Sequence, residues 1–187
     1  LHIIMGICEG LHAAHETCAP DGTPMQVVHR DISPPNAIVT RDGAIKIIDF
    51  GIAKSHDRRA KTEMGVIKGK YAYMSPEQSM AKAVDRRSDI YSLGVMLFEL
   101  TTMTRFYEDA RDIDILEKLA SGYLPDPAER RPGFPPELSG IILKMLARNP
   151  DERYASAREL HQALSSFACK SGISLSPYEL ASFMASI

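Results

Sequence analysis

The sequence lacks the features that mark several specialised classes of protein. Its 22 Lys and Arg nearly balance 24 Asp and Glu, a formal net charge of −2, so nothing indicates a general affinity for nucleic acid or anionic membranes. No apolar run reaches the roughly 18 residues of a membrane-spanning helix, and we expect no signal peptide, because the first residues lack a basic region followed by an apolar one. The three cysteines, Cys8, Cys18 and Cys169, lack the paired spacing of a disulfide framework or a zinc site. We therefore expect a cytoplasmic protein with reduced thiols, no nucleic-acid partner and no membrane segment.

The composition is that of one globular domain with a hydrophobic core. Of the 187 residues, 44% are hydrophobic and 25% are charged, as in ordinary soluble domains. Apolar residues at helical spacing occupy residues 1–18 and predict a helix with no capping residue ahead of it. We therefore expect the sequence to have been cut from a larger domain.

The first third of the chain carries strand signals. After a two-residue strand predicted at Val27–Val28, two β-rich runs, AIVT and AIKIIDF, flank Arg41-Asp42-Gly43 and predict a hairpin. Residues 51–75 lack sustained periodicity and predict a long loop. Long loops inside compact domains are usually functional.

The remainder of the chain carries helix signals. The segment IYSLGVMLFEL is apolar nearly all round and predicts a buried central helix. Asp151 or Ser156 is predicted to cap the helix that follows. Further helices are predicted near residues 111–121, 136–147, 156–168 and 177–186. The fold class is therefore α+β, mainly α, with one small hairpin.

Acidic and amide side chains stand at the ends of the predicted hairpin. Asp31 and Asn36 precede its first strand and Asp49 follows its second, so we expect Asn36 and Asp49 to lie side by side. Their oxygens suit a hard cation such as Mg²⁺, and Asp31 would face the same space, where it can accept a proton. Taken singly, such residues more often cap turns; together they predict phosphoryl transfer.

Short motifs in a fixed order resemble those of a known family. His29 to Asn36, HRDISPPN, resembles the H-R-D-x-x-x-x-N catalytic loop of eukaryotic-like protein kinases, Asp49-Phe50-Gly51 their D-F-G motif, and Ser75-Pro76-Glu77 their A-P-E motif. Asp89 resembles the aspartate that holds the catalytic loop from a buried helix. Arg153 resembles the late arginine that pairs with the glutamate, here Glu77. The resemblance covers roughly residues 1–168 and is to bacterial serine/threonine kinases, with a myxobacterial style.

This resemblance implies the helical large lobe of a kinase domain, with ATP and Mg²⁺ as its cofactors and protein Ser or Thr hydroxyls as substrate. Asp31 is implied to be the catalytic base, Asn36 and Asp49 the magnesium ligands, and Ile38 the apolar floor under adenine. His29 is implied to support the loop from the core. Phe50, followed by Gly51, is implied to pack against the small lobe.

The small lobe of the family has no counterpart in the sequence. There is no V-A-I-K strand, and Gly6, Gly10 and Gly22 do not form G-x-G-x-x-G. We expect the N-terminal lobe to be a missing partner, without which the chain binds ATP weakly and transfers phosphate poorly or not at all. Residues 1–168 are expected to be the large lobe, and residues 169–187 a helical extension or the start of a linker.

Two positions depart from the family pattern. Ser33 stands where the family has lysine, and Lys70 stands where it has a threonine before A-P-E. In the family these side chains are neighbours over the catalytic aspartate. We therefore hypothesise that Lys70 supplies the cation from the opposite side, with Ser33 as its hydrogen-bond partner. The alternative is a degenerate, weakened kinase.

Regulation and the competing function also follow from the resemblance. Arg30 is implied to bind a phosphate on the activation loop, for which Thr62 is the predicted site, with Glu63 or no residue as the alternative.

The competing function is a catalytically silent, pseudokinase-like module that binds protein partners. The intact Asp31, Asn36 and Asp49 favour the enzyme, and the missing small lobe favours the binding module.

Overall fold

The computed structural model describes residues 1–51, 71–108 and 111–186. Helices α1 to α8 span His2–His15, Pro76–Ser79, Arg86–Thr102, Asp112–Ser121, Pro127–Arg130, Pro136–Met145, Ala157–Lys170 and Pro177–Ser186. Strands β1 and β2 span Ala37–Val39 and Ile45–Ile47, and short 3-10 turns span Pro34–Asn36 and Pro150–Glu152. The mainly helical fold with a small hairpin is confirmed, as are the five longer helices predicted after the hairpin. Among the helices in the described part of the chain, none combines the length and apolar content of a membrane span.

Two predicted site residues cannot be placed in this fold. Lys70 and Thr62 lie outside the described residues, together with most of the predicted loop at 51–75.

Helix α3 forms the centre of the molecule. Asp85 caps its first turn by accepting a hydrogen bond of 2.8 Å from the backbone N–H of Arg87. Every residue from Ser88 to Phe98 is buried, as expected for a helix that is apolar nearly all round. Helices α1, α5, α6 and α7 pack around it. Gly94 permits the close approach of α6, because a Cβ there would lie 2.9 Å from the Cβ of Met145.

The hairpin packs against the first helix. Strands β1 and β2 are antiparallel, with Ala37 opposite Ile47 and Val39 opposite Ile45, and Gly43 in the connecting turn has a φ of +81°, which favours glycine. Strand β2 lies on α1. The predicted strand at Val27–Val28 is wrong: these residues pair with no strand among the described residues. Two residues are too few to propagate a ladder, and bonds to His29 fix this segment instead.

The C-terminal helices complete the helical body. Of the two caps proposed from the sequence, Ser156 caps α7, accepting a hydrogen bond from Glu159 N at 3.2 Å. Asp151 accepts a 2.6 Å bond from Arg87 instead. Helices α2 and α5 were not predicted, because each is a single turn that begins at proline.

Candidate active site

A buried carboxylate on α3 holds the backbone of the HRDISPPN loop. Asp89 is fully buried and accepts hydrogen bonds from the backbone N–H of His29 at 2.9 Å and of Arg30 at 2.8 Å. The Nε2 of His15, on α1, donates a third bond of 2.8 Å to the same carboxylate. These bonds offset the cost of burying the charge and fix the loop on the central helix.

The backbone at Arg30 adopts a conformation that L-residues rarely use. Its φ is +67°, a left-handed value that costs a non-glycine residue about 1–3 kcal/mol. Such strain persists only where the surroundings over-determine it, and the bond from Arg30 N to Asp89 is one such constraint. Asp31 is the next residue, so the direction of its side chain depends on this conformation.

The His29 imidazole joins the loop to the end of the hairpin. Its Nε2 donates to the carbonyl oxygen of Ile48 at 2.9 Å, and its Nδ1 accepts from the N–H of Asp31 at 3.3 Å. These partners require the tautomer that carries its proton on Nε2. The carbonyl oxygen of His29 accepts a 3.0 Å bond from Gly51 N, and its ring lies 4.5 Å from the ring of Phe50.

The structure connects Asn36 to both Asp31 and the end of the hairpin. Its Nδ2 donates to the carbonyl oxygen of Asp31 at 2.7 Å, which leaves Oδ1 as the amide atom that can take a cation. Its own carbonyl oxygen accepts a 3.0 Å bond from Ile48 N, so Asp49 follows directly after the paired residue. Asp49 is exposed and has a φ of +57°.

The oxygen donors at this position fit Mg²⁺ better than a metal held by protein ligands alone. Within residues 1–51, 71–108 and 111–186, no group of three or more His, Cys, Asp or Glu could hold a metal ion. Mg²⁺ usually takes one or two protein carboxylates and completes its shell with water and substrate phosphates. One carboxylate, Asp49, and one amide, Asn36, match that pattern.

Two further predicted residues are Ser33, within the loop, and Ile38, just after it. The Oγ of Ser33 donates a long 3.4 Å bond to the carbonyl oxygen of Asp31. Ile38, on β1, is 42% exposed.

Glu77 and Arg153 form a buried ion pair behind the site. Arg153 donates to both carboxylate oxygens of Glu77, at 2.7 and 2.9 Å, and Ser88 on α3 donates to the same carboxylate. Burial raises the pKa of Glu77, but the bonds from Arg153 and Ser88 and the charge of Arg153 lower it further, so the pKa lies below its ordinary value. The pair fixes α2 to the turn at Pro150–Glu152 and to the central helix.

Sequence patterns missed two polar links, one from Tyr73 before α2 and one from Gln78 within α2. The hydroxyl of Tyr73 donates to Glu99 at 2.6 Å, and the other oxygen of Glu99 accepts from Phe106 N at 3.0 Å. The side chain of Gln78 reaches the carbonyl oxygen of Arg30 at 2.9 Å. A polar residue in a short helix predicts exposure, and no spacing rule indicates a partner 48 residues away.

The chain matches known proteins over most of its length. A family model described as protein kinase domain matches residues 1–165. The tyrosine-protein kinase MasK of Myxococcus xanthus is 46% identical over 167 residues, which are 89% of this chain and 26% of that relative. The serine/threonine-protein kinase PknB of Mycolicibacterium smegmatis is 34% identical over 167 residues, 88% of this chain and 25% of the relative.

A third relative is matched over similar shares of this chain and of its own length. The probable serine/threonine-protein kinase SCO3848 of Streptomyces coelicolor is 34% identical over 162 residues, which are 86% of this chain and 23% of the relative. The chain therefore spans about a quarter of the length of the curated relatives it matches.

Proposed function

The chain belongs to the protein kinase domain family, and from this membership we propose that it is the large lobe of a bacterial serine/threonine protein kinase. The proposed reaction moves the γ-phosphoryl group of ATP to a Ser or Thr hydroxyl of a protein substrate. The domain proposed for this role is residues 1–168, with residues 169–187 as a helical extension.

The observation that carries this proposal is the bond from Asn36 Nδ2 to the carbonyl oxygen of Asp31, at 2.7 Å. It joins the residue proposed as base to a residue proposed as metal ligand. In phosphoryl transfer, catalysis is mainly positioning and electrostatic stabilisation, so a rigid spacing between these two roles is what the reaction needs.

Each proposed role corresponds to one chemical task. The carboxylate of Asp31 accepts the proton of the substrate hydroxyl. At the same time the hydroxyl oxygen of the substrate bonds to the γ-phosphorus. The bond from that phosphorus to the β,γ-bridging oxygen breaks, and ADP leaves with the electron pair. Asn36 and Asp49 would hold Mg²⁺, which neutralises phosphate charge when bound. Ile38 would contact adenine from below.

We propose that the remainder of the active site comes from a kinase small lobe supplied by a longer protein. Curated relatives are about four times as long as their match to this chain.

We also propose the exchange of roles between Ser33 and Lys70. Transfer needs positive charge near the phosphoryl group, and its origin in the sequence matters less than its place in the site. The long bond of Ser33 Oγ to the Asp31 carbonyl is weak, so the hydroxyl could turn to a stronger partner at little cost.

The proposal is tested by phosphate transfer in the full-length natural protein that contains this sequence. The protein is incubated with Mg²⁺ and γ-labelled ATP, and the labelled amino acids are identified after acid hydrolysis. We expect phosphoserine or phosphothreonine from the wild type, and a loss of about 10²-fold or more in Asp31→Asn. Asp42→Asn, the same change in the exposed hairpin turn, is the control and should keep full activity.

Other outcomes of this assay separate the alternatives. If phosphotyrosine were the main product, the protein would share the tyrosine specificity in the name of MasK. The Ser/Thr assignment would then be overturned. Transfer that is equal in Asp31→Asn and Asp42→Asn would remove Asp31 as the base. No transfer by the wild type, with intact folding, would favour the catalytically silent binding module.

A further inference from the structure

The side chain of Gln78 has an orientation that its partners determine completely. Its Oε1 accepts bonds from the N–H of Ser75 at 3.1 Å and from the hydroxyl of Ser75 at 2.9 Å. Because a backbone N–H can only donate, the atom facing it must be the amide oxygen. The Nε2 then faces the carbonyl oxygen of Arg30, to which it donates at 2.9 Å.

This bond completes a set of contacts around one peptide group. The carbonyl oxygen of Arg30 and the N–H of Asp31 belong to the same planar unit. Gln78 holds the oxygen, and His29 Nδ1 accepts the N–H at 3.3 Å. The preceding N–H, of Arg30, is held by Asp89 at 2.8 Å.

Rotation of this peptide plane changes the direction in which Asp31 points. The plane follows a residue with a φ of +67°, a conformation that relaxes unless its neighbours hold it. Asp89 acts from α3 and His29 from the loop itself. Gln78 acts from α2, directly after Ser75-Pro76-Glu77, so it links that motif to the loop.

We propose that Gln78 is a positioning residue for Asp31, acting through the Arg30 carbonyl. This inference rests on the proposed function, in which Asp31 is the catalytic base. It assigns to the glutamine of SPEQ a role separate from that of its neighbour Glu77, whose partner is Arg153. In this proposal Gln78 acts on Asp31 through the backbone and has no contact with ATP or the substrate hydroxyl.

The test is Gln78→Glu in the full-length protein. A glutamate carboxylate keeps the acceptor for both bonds from Ser75, so the first turn of α2 stays capped. It has no donor for Arg30 and places a negative oxygen against a carbonyl oxygen instead. Gln162→Glu, the same change at an exposed position of α7, is the matched control.

Three readouts are expected to change in different ways. The kcat of Gln78→Glu falls about tenfold or more, because small displacements of a reacting group are costly. The KM for ATP stays within about twofold of the control, because Asn36, Ile38 and Asp49 are untouched. Amide hydrogen exchange speeds up in the peptide that covers residues 29–36, while the thermal midpoint stays near that of Gln162→Glu.

The failure of this inference is distinguishable from failure of the proposed function. If the wild type transfers phosphate in an Asp31-dependent way and Gln78→Glu matches Gln162→Glu in kcat, Gln78 has no positioning role although the function stands. A general loss of thermal stability, with faster exchange throughout the chain, would equally overturn positioning. If the wild type transfers no phosphate, the exchange rate of residues 29–36 decides alone, and an unchanged rate rejects the inference.

Discussion

Single residues in this site act mainly through backbone groups rather than through side-chain pairs. Asp89, His29, Asn36 and Gln78 each bond to a backbone atom of residues 29–31. Because each bond constrains a peptide rather than a side chain, the loop can hold strained dihedrals at Arg30. These backbone hydrogen bonds therefore fix the position of Asp31.

The exchange between Ser33 and Lys70 makes a prediction at this scale. In the full-length protein, Ser33→Lys places two cations together and Lys70→Thr removes the only one proposed, so each single variant should lose at least about tenfold in kcat. The double variant restores the family arrangement and should recover most of the activity. Initial rates of peptide phosphorylation measure all four proteins. Losses that simply add in the double variant would contradict the exchange.

The motif positions were predictable from the sequence, whereas their tethers were only partly so. The resemblance indicated that Asp89 holds the loop and that Arg153 pairs with Glu77, because both occupy motif positions. Nothing indicated the bond from Gln78 to Arg30, since glutamine is common on surfaces and its partner is distant in the chain. The tautomer of His29 also requires three-dimensional neighbours.

At the scale of elements, the central helix α3 depends on close contact with α6. Gly94 occupies the contact, where an added Cβ would lie 2.9 Å from Met145 Cβ and 3.0 Å from the side chain of Leu146. Gly140 lies on the exposed face of α6, and an added Cβ there has open space. These two helical glycines are therefore a matched pair with opposite expected effects.

We predict that Gly94→Ala destabilises the chain and Gly140→Ala stabilises it. Overpacking at Gly94 should cost about 1–3 kcal/mol, offset in part by the better helix propensity of alanine. At Gly140 only that propensity acts, and it should add about 0.5–1 kcal/mol. Urea denaturation followed by circular dichroism measures both. A stability gain in Gly94→Ala would mean that α3 and α6 leave more room at Gly94 than the 2.9 Å to Met145 Cβ implies.

Element prediction succeeded where a segment had a sustained pattern or a turn signal beside it and failed where it had neither. The hairpin had both β-rich runs and a glycine turn, and the helices from residue 111 onward had clear apolar spacing. The error at Val27–Val28 and the missed helices α2 and α5 all concern segments of two to four residues. Such segments take their structure from tertiary contacts, which no local pattern contains.

At the scale of the whole molecule, we propose that the chain forms one side of a reaction site. The loop and hairpin place the proposed base and metal ligands together, while Ile38 is 42% exposed beside them. The sequence carries no counterpart of the glycine-rich loop that covers the phosphates in kinases. We therefore predict that positioning of ATP requires the small lobe.

The most direct test compares phosphate transfer by the 187-residue chain with transfer by the full-length protein, at equal concentration with Mg²⁺ and γ-labelled ATP. We predict Asp31-dependent labelling of Ser or Thr by the full-length protein and at least about 10²-fold less by the chain alone, because uncovered phosphates are not held in line. Equal Asp31-dependent rates would contradict the requirement for a second lobe. Absence of transfer from both would contradict the assignment as a kinase.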